Sequence, residues 1–352
     1  MTCSSCSYLS HAHDRFCTQC GHALFHVDEP STDGPTSVRH NGNPDSPHGH
    51  PKHLIRSHQL AGISDRGLWH SHNEDAIAVE HLEGDGLECD SRSEKLCQRS
   101  VLIVCDGVSS STHPEDASAT AATIVALALA ADLAIGSTSC PRDALVSAMS
   151  QAQHAVARLA EPDSSNPDSG NLDSSNQCLR NPPATTIVAA VIQTDDQAQT
   201  IATIGWLGDS RAYWISQDKS QLLTRDDSWL NAIRILGNLS EVEALRSPYV
   251  HAITRWLGAN ADHLPSLIQV SLDHAGYLVL CSDGFWNYAA EPDRVAELCQ
   301  PLQSDAHTIA QTLVHHALSC GGRDNISVAV YYHKIALDLH PQSPVIKIQS
   351  RS

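Results

Sequence analysis

The sequence predicts an α+β fold built on antiparallel sheets, preceded by a small metal-held module. Three observations predict it. Short apolar runs recur at hairpin-like spacing over residues 185–192, 200–207 and 211–215. The helical segments 114–133 and 141–160 follow one another as a pair, instead of alternating with strands as a parallel sheet requires. Two Cys-x2-Cys pairs stand at the start of the chain.

Length and charge set the limits. The 352 residues allow one large domain with an appendage. A formal charge of −18 excludes a general affinity for nucleic acid or anionic lipid, and suits divalent cations or a basic peptide. The longest strongly apolar stretch, 121–131, is too short to cross a membrane and is followed by Asp132. No charged region followed by an apolar one opens the chain, so no signal peptide is expected. Of twelve cysteines, four are paired at the N-terminus and eight are scattered singly. That is the pattern of a reduced compartment with one metal site, so a cytoplasmic protein is expected.

Residues 1–25 hold the paired cysteines: Cys3-x2-Cys6 and Cys17-x2-Cys20, ten residues apart. Four thiolates at this spacing suit a tetrahedral structural Zn²⁺, which would stabilise a segment too short to bury a core. A redox pair or unpaired thiols are the competing readings. The segment resembles the short zinc ribbons of bacterial protein N-termini, including the trailing Cys20-Gly21-His22-Ala23-Leu24. A closed four-cysteine site is structural, so the expected use is contact with a protein partner. Residues 26–56 are rich in His, Pro, Gly and Ser without periodicity and read as a linker.

The main domain is expected over 57–335, with a tail at 336–352. Strands are expected at 76–79 and 101–105, then the two helices, with Pro141 suited to a first turn. Residues 161–183 are low-complexity Ser/Asn/Asp/Pro and read as a solvated, disordered insertion. After the three hairpin-spaced strands, 228–259 reads as partly helical, 277–282 as a strand, 305–319 as a helix and 326–333 as a closing strand.

Acidic motifs sit on four of these strand boundaries: Asn73-Glu74-Asp75, Asp106-Gly107, Asp283-Gly284 and Arg323-Asp324-Asn325. An apolar strand ending in Asp-Gly puts a carboxylate at the rim of the core, with a glycine that lets the chain turn. Each alone reads as an ordinary turn. Together they point to a shared site, where several carboxylates cannot all ionise without cations. The oxygens are hard, so Mg²⁺ or Mn²⁺ is the natural counter-ion, and two such ions can activate a water and neutralise a phosphoryl oxygen.

The ordered set Gly62-x-Ser64-Asp65-x-Gly67, Asn73-Glu74-Asp75, Asp106-Gly107, Ala184-Thr185-Thr186, Gly208-Asp209-Ser210-Arg211-Ala212, Ser282-Asp283-Gly284-Phe285-Trp286 and Gly322-Arg323-Asp324-Asn325 resembles the type 2C, metal-dependent serine/threonine protein phosphatases, the bacterial members above all. The resemblance implies a four-layer αββα sandwich: two antiparallel sheets face to face, helix pairs outside, metals in a cleft at one edge. It also implies hydrolysis of phosphoserine and phosphothreonine on proteins by a hydroxide bridging two Mn²⁺ or Mg²⁺ ions. Asp106 would bridge both metals and the Gly107 carbonyl would serve one. Asp283 and Asp324 would complete the first metal's shell. Glu74 would serve the second, with Asp75 behind it. Asp209 would lie near a third, weaker position, and Asn325 would be a hydrogen-bonding neighbour.

The chain departs from the family pattern in places. His70 stands where the family commonly has a phosphate-gripping Arg, and lacks Arg's bidentate fork. Val108-Ser109-Ser110 follows Asp106-Gly107, so no general acid is assignable. Asn287 replaces a further acidic ligand, and Asp227 a frequent His. These departures motivate a second reading, a weakly active or non-catalytic phosphoprotein-binding module with the ribbon as docking site. A phosphatase acting on a small switch protein would share the same residues.

Overall fold

The apolar runs assemble into antiparallel sheets whose shared edge gathers the acidic motifs. The computed structural model describes residues 52–82, 99–134, 139–160, 181–195, 199–237, 239–250, 252–259, 261 and 263–334. The expectations for the ribbon, the tail, most of the linker and residues 161–180 lie outside the described residues.

One sheet orders β1 (Lys52–Ser57), β2 (Leu60–Asp65), β13 (Ile326–His333), β12 (Gly276–Cys281), β8 (Arg211–Ser216) and β9 (Ser220–Leu222). The other orders β11 (Ser266–Ser271), β7 (Thr200–Leu207), β6 (Ile187–Thr194), β4 (Arg99–Asp106) and β3 (Asp75–Leu82). A short ladder joins β5 (Ala184–Thr185) to β10 (Leu257–Gly258). Every strand pairing among the described residues is antiparallel. The end of the region read as linker is corrected: β1 pairs with β2 and belongs to the sheet.

The central strands are largely apolar because both faces are buried. Along β13, Val328, Val330 and Tyr332 face one core while Ala329 and Tyr331 face another. Along β4, Ile103 and Cys105 alternate with Leu102 and Val104 in the same way. The core that takes Leu102, Val104, Leu278, Leu280 and Ala329 draws on both sheets and lies between them. A second core joins β4 and β6 to α1 (Pro114–Asp132) and α2 (Pro141–Arg158). A third joins β12 and β13 to α5 (Asp283–Trp286), α6 (Pro292–Leu298) and α7 (Ala306–Ser319).

The helices carry local reasons for their bounds. Pro114 and Pro141 open α1 and α2, where a missing N–H costs nothing. Helix α1 buries Ala117, Ala121, Val125 and Leu129, a four-residue spacing that makes one face. Asp305 caps α7 by accepting from the Thr308 amide at 3.0 Å. Between β9 and β10, α3 (Trp229–Leu236) starts at a Ser228 cap and ends at Gly237, whose φ of 65° favours glycine. The short α4 (Glu241–Leu245) opens with a capping box at Ser240 and Glu243.

Antiparallel register explains the convergence. Asp75 opens β3 directly opposite Asp106, which ends β4. Cys281 ends β12 opposite Val328 near the start of β13 and opposite Arg211 at the start of β8. Asp283, Asp324 and Asp209 therefore leave one sheet at the same edge, as Asp75 and Asp106 leave the other.

Candidate active site

Five aspartates meet at that edge. Asp106, Asp209, Asp283 and Asp324 line a cavity of about 660 Å³, and Gly107 lies in its wall. Asp75 sits beneath, 5% exposed. Its Oδ2 accepts from the Ser282 hydroxyl at 2.8 Å, a bond that ties the two sheets together at this edge. Its Oδ1 is buried with no hydrogen-bond partner among the described residues.

The electrostatics show how crowded the carboxylates are. Burial pushes Asp106 well above its ordinary value, and the charges of Asp75, Asp283, Asp209 and Asp324 push it further. Burial does the same to Asp283, helped by Asp209, Asp324 and Asp75. Asp75 is pushed up to about 7 by burial and by Asp324, against hydrogen bonds from Ser327 and Ser282. Asp209 is pushed up to about 7 by burial and by Asp226. Without a counter-charge Asp75, Asp106, Asp209 and Asp283 are harder to ionise than free carboxylates. The orphaned Asp75 Oδ1 and the crowded hard oxygens fit divalent cations such as Mg²⁺ or Mn²⁺.

The remaining expected residues surround this group. The Glu74 carboxylate accepts from Ser109 Oγ at 2.6 Å and lies outside the cavity lining. Its backbone is fixed by Asn325: Asn325 Oδ1 accepts from Glu74 N at 2.7 Å, while Nδ2 donates to the Arg66 and His72 carbonyls at 2.8 and 3.0 Å. His70 Nε2 lies 3.3 Å from Asp324 Oδ1, also outside the lining. Asn287 donates to Asp283 Oδ2 at 3.4 Å. Asp227 accepts from Gly208 N at 3.1 Å and from Arg255 at 2.9 Å, bracing the turn that carries Asp209. The expected zinc ligands Cys3, Cys6, Cys17 and Cys20 lie outside the described residues.

Glycines permit the close approach of these elements. A Cβ on Gly107 would meet the Pro114 and Glu74 carbonyls at 2.6 and 2.7 Å. One on Gly284 would lie 2.0 Å from the Asn325 carbonyl.

Sequence reasoning missed the support around Asp209. Arg211 makes a bidentate pair with Asp226 at 2.9 and 2.7 Å, and its guanidinium lies 3.8 Å from the centre of the Trp286 ring. Trp286 Nε1 donates to the Asp209 carbonyl at 2.9 Å. It also missed Ser282, whose hydroxyl takes the Ser327 amide at 3.0 Å while holding Asp75. The Ser282-Asp283 adjacency was the available signal.

Two packed antiparallel sheets with a carboxylate-floored cavity at one edge are the features on which the chain can be compared with known proteins. The chain belongs to the protein phosphatase 2C family, whose model matches residues 80–319. Among curated relatives, the serine/threonine phosphatase stp of Listeria innocua is 32% identical over 150 residues, 42% of this chain and 56% of that one. Protein phosphatase PhpP of Streptococcus pneumoniae is 33% identical over 126 residues, 35% of this chain and 50% of that one. The chain thus spans about half the length of the curated relatives it matches. Among solved structures, the S. agalactiae serine/threonine phosphatase is 26% identical with a TM-score of 0.58, covering 78% of this chain and 98% of that one. The Mycobacterium tuberculosis phosphatase PstP/Ppp shares the fold at a TM-score of 0.56 and 23% identity, covering 79% and 99%. A PstP catalytic domain, solved in complex with two manganese ions, shares it at 0.54 and 22%, covering 78% and 98%.

Proposed function

We propose that this chain is a metal-dependent protein serine/threonine phosphatase acting on phosphoserine and phosphothreonine in protein substrates. The observation that carries this reading is the convergence of Asp75, Asp106, Asp209, Asp283 and Asp324 on one edge, where burial and neighbouring charges make Asp75, Asp106, Asp209 and Asp283 harder to ionise, a cost that a bound cation would offset. The three cores, one between the sheets and one under each helix group, support the four-layer arrangement.

Asp106, Asp283, Asp324 and the Gly107 carbonyl would hold two Mn²⁺ or Mg²⁺ ions together with Glu74 and Asp75, and Asp209 would serve a third position. Bound there, such ions would lower the pKa of a water between them and offset charge on the phosphoryl oxygens. The chain's own part is positional. Ser282 holds the Asp75 carboxylate across the two sheets and Asn325 holds the Glu74 backbone, so little reorganisation is needed at the moment of reaction. Among the described residues no Lys or Arg lines the cavity, so bound cations would have to offset the phosphate's charge. His70, beside Asp324, would assist at the rim.

We read Cys3, Cys6, Cys17 and Cys20 as a structural Zn²⁺ site that docks a protein partner; their spacing supports this. The five described cysteines are free, which supports a cytoplasmic setting. Among the described residues no helix is long and apolar enough to cross a membrane. The test is hydrolysis of a phosphothreonine peptide by the chelator-stripped chain with and without Mn²⁺. Turnover should appear with Mn²⁺ and fall by about a thousandfold or more in Asp106→Asn and Asp283→Asn. Equal turnover without metal would overturn the reading. The His70–Asp324 pair favours one competing reading, a binding module in which His70 occupies a ligand oxygen. Tight phosphopeptide binding with no turnover at saturating Mn²⁺ would establish it.

A further inference from the structure

The cavity offers more than a phosphate needs. At about 660 Å³ it falls in the range of sites that hold a whole ligand. Carboxylates make one side, while Pro182, Ala252, Ile253 and Trp256 make an apolar wall. Trp256 and Ile253 are only partly buried, so the wall is open to an incoming side chain.

This wall is held in register with the carboxylates. Leu257, next to Trp256, pairs with Thr185, and Thr185 bridges to Gly107. Thr186 N donates to the Asp106 carbonyl at 2.8 Å, and Val108 N to the Ala184 carbonyl at 2.9 Å. Behind the wall, Gln153 accepts from Gly258 N at 3.0 Å and donates to its carbonyl at 2.6 Å. On the other side, Arg255 pairs with Asp227, which holds Gly208 beside Asp209. Ile253 bridges to Ser228. The segment 253–258 is therefore tied to the backbone at both Asp106 and Asp209. The Trp256 ring rests edge-on against His263, with centroids 5.8 Å apart. A braced, half-exposed indole beside a reaction site is an anchor that loses little entropy on binding.

We infer that Pro182, Ile253 and Trp256 form a subsite for an apolar side chain flanking the phosphorylated residue of a protein substrate, with Trp256 as the residue that sets the preference. The inference rests on the phosphatase reading and adds the substrate class. An acidic flank would meet the carboxylates of the same cavity, and an apolar one removes surface from water on both partners.

The test uses the full chain with Mn²⁺ and phosphothreonine peptides that differ only in the residues flanking the phosphothreonine: Leu, Phe, Gly, Asp or Lys. The readout is the ratio of kcat/KM for each peptide to that of the Gly peptide. For Leu and Phe the ratio should be about ten or more, carried mainly by KM. It should fall to within about twofold of one in Trp256→Ala and stay high in Trp256→Phe. A ratio near one in the unmodified chain overturns the inference. So does a Lys or Asp peptide turning over faster than the Leu peptide, or a Trp256→Ala variant that slows every peptide equally. Absence of Mn²⁺-dependent turnover on every peptide would instead overturn the phosphatase reading, and is distinguishable on that ground.

Discussion

Replacing Asp75 by Asn should make the metal-free protein more stable near neutral pH. In the folded chain Asp75 is held up to about 7, against an ordinary value of 3.8, chiefly by burial. The folded state therefore keeps a proton that the unfolded state releases, and stability must fall as pH rises between those two values. The contribution is fully present below 3.8 and is lost on passing 7. Fully expressed it amounts to on the order of 4 kcal/mol, which for a domain of this size is roughly 10 °C in melting temperature. Asp106 and Asp283 are pushed the same way and add to the trend. Burial holds His333 below its ordinary value, so its contribution runs the other way, and the Asp75→Asn comparison separates the two. The assay is thermal unfolding in chelator from pH 5 to pH 7.5. The unmodified chain should melt lower at pH 7.5, and Asp75→Asn should recover much of the difference. Mn²⁺ should raise the melting temperature more at pH 7.5, where fewer protons must be displaced; about a hundredfold excess over the dissociation constant is worth about 2.7 kcal/mol. A melting temperature that is flat with pH in both proteins would show that Asp75 takes up no proton on folding.

Further outcomes follow from the bracing of the site. Asn325→Ala removes the acceptor of the Glu74 amide and the donor to two carbonyls; it should cost about 2–3 kcal/mol in denaturant unfolding and raise the Mn²⁺ concentration needed for half-maximal turnover. Arg211→Ala strips the partner from Asp226 in a pair only 13% and 11% exposed. It should cost about 3–5 kcal/mol by the same measurement, with Arg211→Lys intermediate because a lysine cannot make the bidentate contact. Gly284→Ala would drive a methyl into the Asn325 carbonyl. It should be among the more damaging single changes, lowering the melting temperature and the soluble yield together.

Much of this arrangement was legible in the sequence because the strands that carry it are buried on both faces. The runs before Asp106 and Asp283 and after Asp324 are dominated by apolar residues, so their ends, and the acids near them, could be read directly. The edge strand β11 was not legible: Ser266–Ser271 is only partly buried along its length and lacks a clean alternation. Strand β2 was missed because Leu60–Asp65 is short and contains a glycine; its burial comes from pairing with β13, more than 250 residues away. Helix α5 is four residues long, too short for any periodicity. Beyond the Ser282-Asp283 adjacency, the bracing contacts leave no local signature. Trp286 meets the Asp209 carbonyl across 77 residues and Ser282 meets Asp75 across 207. Such pairs exist only once the antiparallel register has set the strand ends side by side.

The most direct measurement is anomalous diffraction from crystals of the full chain grown with Mn²⁺. Manganese peaks should lie among Asp106, Asp283 and Asp324, and vanish in Asp106→Asn. Peaks absent from this cavity under conditions where phosphothreonine peptide is hydrolysed would contradict the account.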